Sequence, residues 1–161
     1  MVESSSVLFV CMGNICRSPT AHGVFAHVLA AAQLGGRVVV DSAATHDYHP
    51  GSPPDPRSQE AAARRGYDLS SLRARAVRSA DFDRFDLVLA MDHGNRRELL
   101  RRCPPDRQDR VRMFLSFAPQ LGIDEVPDPY YGPGDGFERV LDMVEAGAEG
   151  LLVHLRTRLG V

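Results

Sequence analysis

Residues 7–19 read Val-Leu-Phe-Val-Cys-Met-Gly-Asn-Ile-Cys-Arg-Ser-Pro, an apolar run followed by a short loop and the start of a helical segment. The apolar run predicts a buried strand over residues 7–11, ending at Cys11. Ser18 and Pro19 suit the N-cap and the first position of a helix over residues 18–33. A cysteine at the end of such a strand lies where parallel α/β sheets bind their ligands.

The pattern Cys-x5-Arg in residues 11–17, here called the phosphate loop, suits a thiolate that attacks a bound phosphate. The backbone N–H groups of residues 12–17 can curl around an anion, and the following helix N-terminus adds partial positive charge. Arg17 can bind two phosphate oxygens with its planar guanidinium, and the same charges favour the thiolate of Cys11. A cysteine ending a strand is more often a small core residue, so this interpretation depends on the motif around it.

The rest of the chain alternates short apolar runs with helical segments. Strands are predicted over 38–40, 87–91 and 111–115, and helices over 56–63, 94–102 and 137–155. This alternation predicts an α/β fold: a single-domain three-layer sandwich over residues 1–161, with a four-stranded parallel sheet and helices on both faces. Residues 46–56 and 67–80 are predicted to be loops, and Gly147 and Gly150 are expected to weaken the last helix.

Composition limits the range of partners and compartments. The chain has 161 residues, a formal net charge of −2 and 43% hydrophobic residues, so we expect neither a nucleic acid nor a membrane partner. Three cysteines, an odd number, argue against a disulfide scaffold, and a reactive thiol needs a reducing compartment. We therefore expect a cytoplasmic protein. We also expect a monomer.

Residues 10–19 resemble the signature of the low-molecular-weight protein tyrosine phosphatases. Further matches follow in family order at 41–45, 91–92 and 128–132, the last resembling the family's general-acid loop. The resemblance implies hydrolysis of phosphotyrosine and small aryl phosphates through a phosphocysteine on Cys11. Arg17 would bind the phosphate and Asp128 would act as general acid and base, with no metal or other cofactor. The implied partners are a phosphotyrosine protein substrate and a cognate tyrosine kinase.

Supporting roles are expected around these groups. The phosphate-binding residues are predicted to be Met12, Gly13, Asn14, Ile15, Cys16, Arg17 and Ser18. The Ser18 hydroxyl would donate to Cys11, Asn14 would hold the loop in shape, and Ser42 and Asp92 would support it from behind. Aromatic residues that would form the wall of a slot for a phenyl ring are Tyr48, Tyr130 and Tyr131. The resemblance also implies that Tyr130 and Tyr131 can themselves be phosphorylated, whereas His46 and His49 are expected to be solvated.

Cys16 has two interpretations. The resemblance implies that it forms a disulfide with Cys11 under oxidation, and a curled loop would bring the two Cα atoms into disulfide range. The alternative is that Cys16 only packs beneath the loop. Two departures from the family pattern, His22 in place of a glutamate and Leu72 in place of a histidine, predict a shorter network supporting the phosphate loop.

Three alternatives remain at this point. A thiol-dependent arsenate reductase needs further cysteines for a disulfide relay, and only Cys103 is available outside the phosphate loop. A catalytically silent phosphotyrosine-binding module usually lacks the cysteine or the acid, and this chain has both. A zinc site at Cys11, Cys16 and His22 is disfavoured by its loose spacing. Turnover of p-nitrophenyl phosphate separates an enzyme from a binding module.

Overall fold

The computed structural model describes residues 2–161; Met1, which the predicted domain includes, lies outside the described residues. Four parallel strands form one sheet in the order β2-β1-β3-β4. Their bounds are Ser5–Cys11 (β1), Val38–Ala44 (β2), Leu87–Ala90 (β3) and Val111–Met113 (β4). The predicted four-stranded parallel sheet is confirmed. Strand β1 lies between β2 and β3, and its residues Val7 and Phe9 are fully buried.

Within the described residues, five α-helices cover the sheet. They are Arg17–Ala31 (α1), Pro56–Arg64 (α2), Asp81–Arg84 (α3), His93–Arg102 (α4) and Gly136–Leu159 (α5). Alternate residues of β1 point to two separate cores, as the period of two along a strand requires. Val7 and Phe9 pack with α1, α2 and α5, whereas Leu8 and Val10 pack with α3 and α4. The sheet is therefore covered on both faces, as predicted.

Several boundaries differ from the sequence predictions. β2 continues past residue 40 through Asp41 and Ser42, because backbone pairing with β1 extends a strand whose later residues are not all apolar. β4 ends at Met113, and the apolar residues that follow form a 3-10 turn over Phe114–Phe117. The short helix α3 lies beyond the predicted loop 67–80 and was not predicted. None of the helices between residues 2 and 161 combines the length and apolarity needed to cross a bilayer.

The two glycines inside α5 allow close packing. A Cβ at Gly147 would lie 2.5 Å from Cζ of Phe114, and one at Gly150 would overlap the carbonyl oxygen of Phe117. Helix α5 therefore approaches the Phe114–Phe117 turn more closely than any larger residue would allow. The low helix propensity of Gly147 and Gly150 is offset by this close packing.

Candidate active site

The phosphate loop begins where β1 ends and passes directly into α1. Its first half is anchored to the residues after β2. The carbonyl of Cys11 accepts a hydrogen bond from Thr45 N (2.9 Å), and that of Met12 accepts one from His46 N (3.0 Å). This places Cys11 at the carboxyl edge of the sheet and in front of the positive end of α1, where an anion is stabilised.

Asn14 fixes the turn of the loop. It has a left-handed backbone (φ 57°), a conformation that asparagine tolerates better than most residues. Its amide Nδ2 donates to Ser18 Oγ at 2.7 Å, and its Oδ1 accepts from the backbone N–H of Arg75 at 3.1 Å. The asparagine thus links the loop to α1 and to the segment before α3.

Ser18 connects this network to the sulfur. Its hydroxyl lies 3.0 Å from Cys11 Sγ, and its backbone N–H lies 3.5 Å from the same atom. Because Asn14 already donates to the hydroxyl oxygen, the hydroxyl hydrogen is free to point at the sulfur. Two donors therefore lie close to the sulfur.

The prediction that Ser18 is the N-cap is wrong. Helix α1 begins at Arg17, and Cys16 holds the N-cap position without a side-chain cap hydrogen bond. Ser18 lies inside the first turn, and its hydroxyl contacts Asn14 and Cys11 instead. The Ser18 hydroxyl is engaged by these two side chains, so it does not cap the backbone N–H groups of the helix.

Arg17 is only 2% exposed, and one of its terminal nitrogens is held by two acceptors. Its Nη1 donates to Asp92 Oδ2 at 2.7 Å and to the Val126 carbonyl at 3.0 Å. Burial lowers the pKa of Arg17, but the negative charges of Cys11 and Asp92 outweigh burial and raise the pKa above its ordinary value. The guanidinium therefore stays charged, and Nε and Nη2 are not used by the Asp92 or Val126 contacts.

Both carboxylate oxygens of Asp92 accept hydrogen bonds that fix its side chain. Oδ2 accepts from Arg17, while Oδ1 accepts from Asn95 N at 2.7 Å and so caps the N-terminus of α4. The Asp92 carboxylate therefore sets the orientation of the arginine and is oriented in turn by a helix end.

Asp128 lies across the pocket from Cys11, between Pro127 and Pro129. Its side chain is 44% exposed; Oδ1 accepts from Tyr130 N at 3.0 Å, and Oδ2 lies 3.6 Å from Arg17 Nη2. The carboxylate is thus near the Arg17 guanidinium yet open to solvent.

These groups surround a pocket of about 290 Å³. The three predicted slot aromatics are all at its wall, with Tyr131 94% exposed and Tyr130 set edge-on to it at 4.7 Å between ring centroids. The complete lining is Cys11, Met12, Gly13, Ile15, Cys16, Arg17, Tyr48, His49, Asp128, Tyr130 and Tyr131. The space is large enough for an aryl phosphate with its ring between aromatic side chains.

One of the two histidines that were expected to be solvated lies at this pocket, and the other stacks on a residue of its wall. His49 lines it, and its Cδ2 would be 3.2 Å from a Cβ at Gly13, so this glycine leaves room for the imidazole. His46 stacks on Tyr48 with ring centroids 5.2 Å apart. Both histidines lie within two residues of Tyr48 in the sequence, and this proximity was the signal from which their placement could have been predicted.

Ser42 and the two departures from the family pattern form no direct contact with the sulfur. The Ser42 hydroxyl lies 3.0 Å from His22 Nδ1, one helical turn after Ser18 on α1. Burial lowers the pKa of His22, so its imidazole is neutral at this contact. Leu72 packs against the apolar core, and the link between Asn14 and Ser18 is direct. Ser42 therefore braces α1 through His22, not through a hydrogen bond to the phosphate loop.

Cys16 lies beside the pocket but is buried. Burial is the main cause that raises its pKa to about 12, although a hydrogen bond with Ser58 acts in the opposite direction. At neutral pH Cys16 is therefore a thiol. This form packs well and attacks electrophiles slowly.

Comparison with known proteins gives a consistent result. Residues 6–159 match the family described as low molecular weight phosphotyrosine protein phosphatase. The low molecular weight protein-tyrosine-phosphatase of Streptomyces coelicolor is 46% identical over 156 residues, covering 95% of this chain and 94% of that protein. The human low molecular weight phosphotyrosine protein phosphatase is 41% identical over 139 residues, covering 85% and 87%.

Solved structures agree with these sequence matches. The crystal structure of a protein tyrosine phosphatase from Entamoeba histolytica with Hepes in the active site superposes with a TM-score of 0.92. It is 42% identical, covering 96% of this chain and 98% of that chain. The structure of YfkJ from Bacillus subtilis also gives a TM-score of 0.92, at 35% identity and 98% coverage of both chains.

Proposed function

Because the chain belongs to the low molecular weight phosphotyrosine protein phosphatase family, we propose which of its residues carry out the hydrolysis of phosphotyrosine. Its activity is that of a protein tyrosine phosphatase, a phosphoric monoester hydrolase. The observation that supports the residue roles is the convergence of Cys11, Arg17 and Asp128 on one pocket.

In the first step the Cys11 thiolate attacks phosphorus in line with the leaving tyrosyl oxygen. An S–P bond forms, the P–O bond breaks, and Asp128 donates a proton to the departing oxygen. The negative charge of the equatorial oxygens is held by the amides of residues 12–17 and by Nε and Nη2 of Arg17. Since Asp92 and Val126 bind only Nη1, the guanidinium is already oriented before substrate arrives.

In the second step water attacks the phosphocysteine. Asp128, now ionised, accepts a proton from the water, an O–P bond forms and the S–P bond breaks. The leaving sulfur returns to the thiolate form, which the Ser18 hydroxyl at 3.0 Å stabilises. Both steps use protein groups alone, since the charge on the phosphate is matched by the loop amides and Arg17.

The wider assignment follows from the same site. The slot formed by Tyr48, Tyr130 and Tyr131 suits a tyrosyl ring, so we propose phosphotyrosine in proteins as the substrate and a tyrosine kinase as its source. We also propose one phosphatase domain over residues 1–161, acting as a monomer in the cytoplasm, where a reducing environment preserves Cys11. An arsenate reductase is disfavoured because Cys103 packs on the opposite face of the sheet from Cys11.

The deciding experiment replaces the nucleophile. Cys11→Ser should abolish turnover of p-nitrophenyl phosphate while still binding inorganic phosphate, because the amide cradle and Arg17 are retained. Cys103→Ser is the matched control, a buried cysteine outside the pocket, and it should keep near-normal turnover. Substantial turnover by Cys11→Ser would contradict the phosphocysteine mechanism.

A further inference from the structure

Arg57 lies in the first turn of α2 and is held in one geometry by Asp55. Its Nε donates to Asp55 Oδ1 at 3.0 Å and its Nη2 to Asp55 Oδ2 at 2.8 Å, a bidentate pair. The same carboxylate accepts from the backbone N–H of Arg57 at 2.8 Å and so caps α2. The planar guanidinium is therefore fixed although the side chain is 47% exposed.

Asp55 ties this pair to the phosphate loop. Its backbone N–H donates to the carbonyl of Ile15 at 2.8 Å, two residues before Arg17. Asp55 is buried, and its bonds to Arg57 lower the pKa of its carboxyl. The position of the Arg57 guanidinium is thus set relative to the loop that binds phosphate.

The other side of the guanidinium contacts the loop that carries Asp128. We call residues 127–135 the acid loop. The central carbon of the Arg57 guanidinium lies 5.3 Å from the centroid of the Tyr130 ring and 4.7 Å from that of Phe137. Tyr130 holds Asp128 through its backbone N–H, and Phe137 is buried in the first turn of α5, just past the acid loop. The cation therefore contacts an aromatic ring in the acid loop and another just beyond its end.

Besides the Tyr130 contact, the acid loop reaches the phosphate loop through Asp128, whose Oδ2 lies 3.6 Å from Arg17 Nη2. Within residues 2–161, the hydrogen bonds of the acid loop stay inside it or reach the first turn of α5. The residue just before the acid loop, Val126, is held by its backbone N–H, which donates to Met91 O at 2.8 Å. The contact of Arg57 with Tyr130 therefore links the acid loop to Asp55, which is hydrogen-bonded to the phosphate loop.

We propose that Arg57 is a positioning residue that sets the distance between the Asp128 carboxylate and the phosphate loop. It acts through Tyr130, whose ring it contacts and whose backbone N–H orients Asp128. This inference rests on the proposed role of Asp128 as general acid. Loss of Arg57 should let the acid loop move away and should slow protonation of the leaving group, while phosphate itself still binds.

The experiment measures kcat/KM of Arg57→Met and Arg57→Lys against aryl phosphates that differ in leaving-group pKa. We expect a loss of about tenfold for phenyl phosphate, because a misplaced catalytic group costs rate steeply, and little loss for a dinitrophenyl ester. Inhibition by inorganic phosphate should be unchanged. Arg64→Met is the matched control: Arg64 lies on the same helix, is 57% exposed and pairs with Glu60 and Glu138.

Double variants test whether the effect of Arg57 acts through Asp128. In an Asp128→Asn background, Arg57→Met should cause no further loss. An equal loss for all leaving groups, a weakened affinity for phosphate, or an additional loss in that background would each overturn the positioning role. If Arg57→Met unfolds, Arg57→Lys, which keeps the charge but loses the planar fork, is compared in the same way. If Asp128→Asn itself shows no dependence on the leaving group, the proposed role of Asp128 fails and this inference fails with it.

Discussion

Replacing Arg17 with lysine tests the proposed grip on phosphate. Nη1 of Arg17 binds Asp92 and the Val126 carbonyl, whereas Nε and Nη2 make neither contact and Nη2 lies 3.6 Å from Asp128 Oδ2. We propose that Nε and Nη2 bind the substrate. A lysine has one nitrogen at its end, so it cannot bind Asp92 and two phosphate oxygens in the same planar geometry. The positive charge is retained, so the change isolates the geometry of the contact.

The expected loss can be worked from the bonds removed. Two hydrogen bonds to charged phosphate oxygens, each worth about 1.5–3 kcal/mol, give about 3–6 kcal/mol. At about 1.4 kcal/mol for each factor of ten, kcat/KM should fall on the order of 10²–10⁴-fold. The carbonyl of Val126 also loses its partner, which should lower the free energy of unfolding by about 1–3 kcal/mol.

The assay compares kcat/KM for p-nitrophenyl phosphate with urea unfolding of the same samples. Arg64→Lys, an exposed exchange on α2, is the control and should change neither quantity by much. A loss below about tenfold in a folded Arg17→Lys protein would refute the reasoning, because the bidentate contact would then contribute less than one such bond.

Three further predictions concern the acid, the second loop cysteine and the packing of α5. Asp128→Asn should slow phenyl phosphate hydrolysis on the order of 10²–10⁴-fold and the loss should shrink for esters with better leaving groups, whereas an equal loss for all of them would indicate a structural role. Peroxide should inactivate the enzyme, phosphate should protect it, and dithiothreitol should restore it far better in the wild type than in Cys16→Ser. Because burial raises the pKa of Cys16 to about 12, the Cys11–Cys16 disulfide should form faster as pH rises, as followed by peptide mass mapping; equal recovery in Cys16→Ser would make Cys16 a packing residue. Gly150→Ala should lower the free energy of unfolding in urea by about 1–3 kcal/mol despite the better helix propensity of alanine, because the new Cβ meets the Phe117 carbonyl. Gly35→Ala, which has open space around it, should be nearly neutral, and equal stability of the two variants would contradict the packing argument.

The sequence predicted the sheet because its strands are short apolar runs buried on both faces. It missed the second half of β2, where Asp41 and Ser42 continue the strand through backbone pairing that has no apolar signal. It also assigned Ser18 to the N-cap, because capping preference is local whereas the hydroxyl is used by side chains from the preceding loop.

The residues proposed for the chemistry could be predicted from the sequence more directly than the residues that support them. Cys11, Arg17 and Asp128 stand in short motifs whose residue types match the chemistry directly. Arg57 was not identified, since its importance depends on aromatic rings more than 70 positions away in the chain. Contacts of this kind follow from how α2 and α5 pack, and no local pattern encodes them.

The hydrogen bond from the main chain of Arg75 to Asn14 has a consequence for how this protein tolerates mutation. Every residue except proline supplies the same N–H, so the donor that fixes Asn14 is not encoded by the identity of residue 75. The arginine side chain binds Asp41 and Asp81, and its replacement would weaken those ion pairs without deleting the donor. Most substitutions at position 75 therefore keep the hydrogen bond that anchors the phosphate loop, and proline is the one residue that would delete it.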